Sequence, residues 1–269
     1  MLGLDLGLGS AVPAVRRPVL EAAFGGGGGA AGLPGMVLPA ASQDPWQRNL
    51  VSVTLQLGLA PCVDMAELLL SADDQAPSVA IGDTGTVSLG YEDSSTDLVF
   101  TGQVESLRRS AHGTLRLAAG NGGAPLSRLR LNQSYEQQAA GDVVGELAGR
   151  AGVGTDTVED GVDLPFYVLD DRRSAYEHIA ALARKSGYLA YFTPEGKLNF
   201  KPFAAGRPVQ TFAYGQDILA LEVTEAAPVV GTVATAGEGA AGSRGQQAWS
   251  WLVKDPSPVQ GSAGDGGPQ

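Results

Sequence analysis

The sequence predicts a mixed α+β protein, mainly β. It reads as a small antiparallel barrel or sandwich with an inserted helix-plus-hairpin subdomain, followed by the start of a second β domain. Three observations predict this. Short segments that alternate apolar and polar residues recur between residues 50 and 118, separated by turns rich in Asp, Ser and Gly. A capped amphipathic helix runs straight into a hairpin over residues 174–202. Strand-like sequence then returns after residue 209, so the α/β section stands between β segments of one barrel.

Residues 1–44 read as an N-terminal strand and a glycine-rich loop. Pro18 to Phe24 is strand-like and leads into Gly25 to Gly35. A phosphate-binding loop is excluded there, because Gly-Lys-Ser/Thr is required at its end and the chain has Ala30, Ala31 and Gly32. Arg16-Arg17 faintly resembles a twin-arginine export signal, but Glu21 and five consecutive glycines spoil the apolar stretch that must follow. Residues 45–125 supply the main part of the first barrel. Leu50 to Leu59 alternates, Pro61 breaks the run, and Ala66 to Leu70, Thr86 to Gly90, Leu98 to Gly102 and Leu115 to Ala118 repeat the pattern. Glu92-Asp93-Ser94-Ser95 and His112-Gly113 punctuate it.

Residues 126–205 form the inserted α/β subdomain. Val143, Val144, Leu147, Ala148 and Ala151 make a helical stripe, with Asp142 in its first turn and Gly152 past its end. Residues 155–170 read as a polar connection with one apolar patch, Leu164 to Val168. Ser174 and Glu177 form a capping box, Tyr176, Ile179, Leu182 and Ala183 share one stripe, and Gly187 ends the helix. Glu177, His178, Arg184 and Lys185 face away from that stripe. Tyr188 to Phe192 and Lys197 to Lys201 pair across the turn Thr193-Pro194-Glu195-Gly196, with Leu198 and Phe200 on one face and Asn199 on the other. Residues 206–225 hold return strands, Val209 to Tyr214 and Ile218 to Val223. Residues 226–269 begin a partial second β domain, with strand-like Val229 to Ala234 and Ala248 to Val253, and dissolve after Pro256 into a flexible tail. So few strands cannot bury a core alone, so another subunit completes this region or the natural chain continues.

At 269 residues and 43% hydrophobic content, the chain has material for one large or two ordinary domains. A net charge of −11 with scattered basic residues argues against nucleic-acid binding. Without a long apolar run, no membrane insertion is expected. Cys62 is the one cysteine, so disulfides within the chain and cysteine-based zinc sites are excluded, and it reads as a small buried hydrophobe. His112 in a turn and His178 on the polar helix face are expected to be exposed and unpartnered. Asp73-Asp74 and Asp170-Asp171 are sequence neighbours that cannot face each other across a bond, and read as solvated loop acids. No catalytic constellation, cofactor site or metal site is expected. Trp249 and Trp251, two apart on a strand face, read as core, with a subunit interface as the competing reading.

The order of the pieces carries a resemblance. Gly85-Thr86-Val87-Ser88-Leu89-Gly90-Tyr91 comes first, then Val99-Phe100-Thr101-Gly102-Gln103-Val104, then Asn132-Gln133-Ser134-Tyr135 followed by Ala140-Gly141-Asp142-Val143-Val144. The Tyr176 helix and the Gly196-Lys197-Leu198 hairpin complete it. Over roughly residues 45–225 this resembles the baseplate hub proteins of contractile tails, including phage late control protein D and the hub part of type VI secretion spike proteins. The resemblance implies a tube-type barrel and a homotrimer that adapts a six-fold inner tube to a three-fold spike. Tube protein, spike protein and other baseplate subunits would be the partners, with assembly in the cytoplasm before incorporation into an injection particle. It implies no enzymatic role, and makes the insertion a packing and docking element on the barrel's periphery. The sequence departs from the family in lacking chain to finish a second tube domain and a needle-forming repeat. Two other classes compete: a carbohydrate- or peptide-binding β module, and a tail-associated cell-wall hydrolase.

Overall fold

The computed structural model describes residues 17–25, 45–73, 76–92, 94–203, 212, 214, 218 and 220–224, together with the backbone of two strands at Val233–Gly237 and Val259–Ala263. The described residues fall into two compact units, one within 16–204 and one within 205–269.

The first unit is built on β1 (Pro18–Phe24), β2 (Leu50–Gln56), β3 (Met65–Ser71), β4 (Thr84–Tyr91), β5 (Asp97–Ser110) and β6 (Thr114–Gly120). They form a six-stranded antiparallel sheet in the order β1-β4-β5-β6-β3-β2. Alternation decides which face is inside: Ala66, Leu68 and Leu70 are buried on β3, Leu115, Leu117 and Ala119 on β6, while Glu67 and Arg116 between them face solvent. Three register irregularities, at Leu50/Ser52, Val87/Ser88 and Val104/Ser106, are β-bulges that sharpen the twist and curl the sheet.

A short helix, α1 (Pro45–Asn49), runs directly into β2 and packs against β1 and β3. Its Trp46 is buried against Phe24 of β1, ring centroids 5.8 Å apart. One aromatic pair thus draws the two edge strands toward each other and leaves a curled half-barrel.

The second layer of this unit holds α2 (Gly123–Arg128), β7 (Gln133–Ala139), α3 (Ala140–Arg150), β8 (Thr155–Val158), β9 (Asp163–Leu169), α4 (Ala175–Ser186), β10 (Tyr188–Phe192) and β11 (Leu198–Pro202). β10, β11 and β8 make a three-stranded sheet and β7 pairs with β9. The expected helix α4 has its capping box, with Glu177 N–H donating to Ser174 Oγ and Glu177 Oε2 accepting from Ser174 N–H, and Gly187 in the left-handed conformation at its end. Tyr176, Ile179, Leu182 and Ala183 are buried, and they join Val143, Val144 and Leu147 of α3 and Leu198 and Phe200 of β11 in a core separate from that of the half-barrel.

The structure corrects several expectations. The polar connection at 155–170 contains two strands, because β8 finds a parallel partner in β11 and β9 an antiparallel one in β7. Asn199, placed on the outer face of the hairpin, is buried, with its Oδ1 accepting from Thr157 N–H of β8. In the second unit the backbone pairs β12 (Val233–Gly237) with β13 (Val259–Ala263), so a strand stands where a tail was expected. Residues 220–224 carry no strand, Tyr214 and Ile218 form one isolated bridge, and the other expected return-strand positions lie outside the described residues.

Leu182→Asp places a carboxylate in the α/β core, and we expect it to lower unfolding free energy by about 3 kcal/mol or more, measured by urea unfolding followed by circular dichroism.

Candidate functional site

The two cores of the first unit meet at the connection between β2 and β3, residues 57–64, and the site is built there. Met65 pairs with Gly120 where β3 and β6 begin and end, which brings Asp64 and Asn121 side by side just outside the ladder. Asn121 N–H donates to the Asp64 carbonyl (3.1 Å), and Asn121 Nδ2 donates to Asp64 Oδ2 (2.7 Å). Gly58 N–H donates to Asp64 Oδ1 (2.7 Å), which pulls the connection into a loop. Asn121 Oδ1 accepts from Gly123 N–H (2.9 Å) at the start of α2. Asp64 and Asn121 are only 5% and 4% exposed, so this network is interior.

The loop then reaches into the second layer. Ala60 N–H donates to the Ala190 carbonyl of β10 (2.8 Å), and the Tyr176 hydroxyl donates to the Cys62 carbonyl (3.1 Å). Ala60 and Val63 pack against the α/β core. Gly122 makes the close approach feasible: a Cβ there would lie 2.6 Å from Phe192 Cε1 and 2.9 Å from Val153 Cγ1.

Beside Asp64 lies a half-open pocket of about 420 Å³, walled by Leu57 and Leu59 from the loop, Val99 and Thr101 from β5, and Tyr191 and Pro194 from the hairpin. Burial pushes the Asp64 carboxyl above its ordinary value, with the Gly58 N–H partly opposing the rise. Burial, and then the nearby Asp64 carboxylate, push the Tyr176 phenol up as well. Among the described residues no ion pair joins Asp64 to a cation. A second cleft, of about 580 Å³, lies along the seam between the edge strands, with Leu20 of β1, Val53 and Leu55 of β2 and Leu89 of β4 in its walls.

The residues singled out from sequence fall elsewhere. Trp249 and Trp251 lie outside the described residues, as does the glycine-rich loop beyond Gly25. His112 is exposed in its turn. His178, expected on the exposed face, is 3% exposed, because α4 is covered on a second side by β9. Its Nε2 donates to the Asp170 carbonyl (3.1 Å), which leaves Nδ1 to accept the Tyr167 hydroxyl (3.1 Å), so burial strands no polar group. Cys62, expected in a core, is exposed at the tip of the loop. Asp170 and Asp171 hold a turn: Asp170 Oδ1 accepts from Arg172 N–H, and Asp171 Oδ2 accepts from Asn132 Nδ2.

Sequence reasoning missed Asp64 and Asn121. The only signal was their position, each just outside an alternating segment, and it becomes informative only once β3 and β6 are known to pair. Among the described residues no group of three or more His, Cys, Asp or Glu side chains stands where it could hold a metal ion, and no helix is long and apolar enough to cross a membrane.

No protein-family model and no curated protein matches the chain. Among solved structures it is similar to the 43 kDa tail protein of prophage MuSo2 from Shewanella oneidensis, with 14% identity, a TM-score of 0.42 and coverage of 55% of this chain and 54% of that one. The tail protein from Neisseria meningitidis MC58 gives 15% identity, a TM-score of 0.43 and coverage of 58% and 47%. Prophage tail protein gp18 from Listeria monocytogenes EGD-e gives 11% identity, a TM-score of 0.41 and coverage of 71% and 54%. The chain spans about half the length of these structures.

Because the folded state raises the Asp64 carboxyl, its contribution to stability is full at acid pH and lost as pH climbs through the raised value. The Asp64→Asn variant has no carboxyl to ionise and should lack this fall, so its stability relative to the parent should improve as pH rises above the ordinary carboxylate range, read from paired urea titrations at several pH values. His178→Ala leaves the buried Tyr167 hydroxyl without its acceptor and should cost about 1–3 kcal/mol. His112→Ala in the same assay should stay within about 0.5 kcal/mol of the parent.

Proposed function

We propose that the chain is a structural baseplate hub subunit of a phage-tail-like contractile injection system, trimerising to adapt a six-fold inner tube to a three-fold spike. The ordered run of motifs over residues 45–225 favours this family, and the observation that carries the reading is the unfinished half-barrel. Among the described residues neither β1 nor β2 has a second neighbour in the sheet, and an apolar cleft lies between them. Unpaired edges of this kind are templates for pairing with another chain, and a tube wall assembled from neighbouring sheets would use them. The insertion would brace the barrel from outside, with Asp64 and Asn121 at the joint. Tube protein, spike protein and further baseplate subunits would be the partners, and particle assembly in the cytoplasm fits the reading. No catalytic step is assigned to the chain.

Light scattering on the purified protein, coupled to size-exclusion chromatography, should give a mass three times that of the chain. A Val53→Lys/Leu55→Lys double substitution in the seam should reduce it to the mass of one chain while leaving the far-ultraviolet circular dichroism unchanged. A stable monomer that binds glycans, or one that hydrolyses peptidoglycan, would overturn the hub reading.

A further inference from the structure

We propose that the pocket at the joint of the half-barrel and the insertion is a seat for a lysine side chain of a partner protein. Its methylene stem would lie between Leu57, Leu59, Val99 and Tyr191, with its ammonium at the Asp64 carboxylate. Four features converge on this occupant. Among the described residues Asp64 is the only Asp, Glu, Lys, Arg or His in the lining, and the rest of the wall is mostly apolar, which suits an aliphatic stem with a charged tip. Leu57 and Leu59 are 59% and 50% exposed, an apolar entrance left bare beside a buried carboxylate. Each Asp64 oxygen accepts one neutral donor, from Gly58 or Asn121, and a carboxylate has lone pairs for about two more. A net charge of −11 draws cationic partners toward the chain.

The carboxylate geometry favours lysine over arginine. A guanidinium binds best when both oxygens of a carboxylate face it side by side, and here the two are held by donors from different segments. A rotatable ammonium needs only one open lone pair. A bound divalent cation fits poorly, since the pocket offers a single carboxylate. The inference rests on the assembly reading only for the source of the lysine, and the test below does not use that reading.

The test uses the full chain, labelled with an environment-sensitive dye on Cys62, its single and exposed cysteine, on the same loop as Asp64. The probes are n-pentylammonium, n-pentylguanidinium and n-pentanol, at matched ionic strength. The expected result is a saturable response to the ammonium, about tenfold tighter than to the alcohol and tighter than to the guanidinium. Asp64→Asn should bring the ammonium down to the level of the alcohol. Leu59→Trp keeps Asp64 and its hydrogen bonds while filling the entrance, and should abolish the response to all three probes even if Asp64→Asn folds poorly. Equal or tighter binding of the alcohol or the guanidinium, no saturable response to the ammonium, or an unchanged response in Leu59→Trp would overturn the proposal. A stable monomer that binds glycans or hydrolyses peptidoglycan would remove the hub reading and leave this result standing.

Discussion

The hydrogen-bonded pair of Asp64 and Asn121 is the constraint on which the first unit turns. It sits where two central strands of the half-barrel leave the sheet, and it joins their ends by both main chain and side chain. Because Gly58 N–H donates to the same carboxylate, the pair also shapes the loop that carries Ala60 and Val63 into the α/β core. A buried carboxylate with only neutral donors is costly to fold around. What it provides is uniqueness of register. Slipping β3 by one residue against β6 would turn Leu68 and Leu70 to solvent and take Asp64 out of register with Asn121, so both the apolar and the polar terms oppose the error.

Legibility in the sequence follows the range of the interaction. Helix α4 was readable to its ends because Ser174, Glu177 and Gly187 act within a few residues of one another, and strands β1 and β10 because Pro18–Phe24 and Tyr188–Phe192 carry their own signals. β8 was not readable. Thr-Asp-Thr-Val has weak apolar content, and it becomes a strand through a parallel partner some forty residues away, reinforced by Asn199 reaching across to Thr157 N–H. β9 was hidden for a related reason: Leu164, Tyr167 and Leu169 are buried while Pro165, Phe166 and Val168 are exposed, which is no clean period of two.

His178 and Cys62 show the limit of periodicity from opposite sides. A helical wheel separates the Tyr176 stripe from the rest, but it cannot say how many neighbours the helix will have. With β9 on its flank, α4 buries His178 beside that stripe, and two hydrogen bonds make the burial tolerable. Cys62 has the composition of a core residue, yet the residue beside it, Val63, takes the inward position on the loop, and the carbonyl of Cys62 contributes where its thiol does not. Asp64 would have stayed invisible on any wheel or alternation count, because its partner is 57 residues distant.

The joint also bears on what kind of work the first unit suits. The insertion is held to the half-barrel by the covalent path through Asn121, by the loop hydrogen bond from Ala60 to Ala190, by the Tyr176 hydroxyl on Cys62, and by the hairpin turn, where Gly196 lies close to Thr101 of β5. These attachments come from separate places in the chain and meet around one pocket, so displacing the insertion requires breaking them together. The buried Asp64 carboxylate is thereby spent on holding two cores in register. Any rotation of the insertion at the joint would have to break these bonds together with the end of the β3–β6 ladder that Asp64 and Asn121 close.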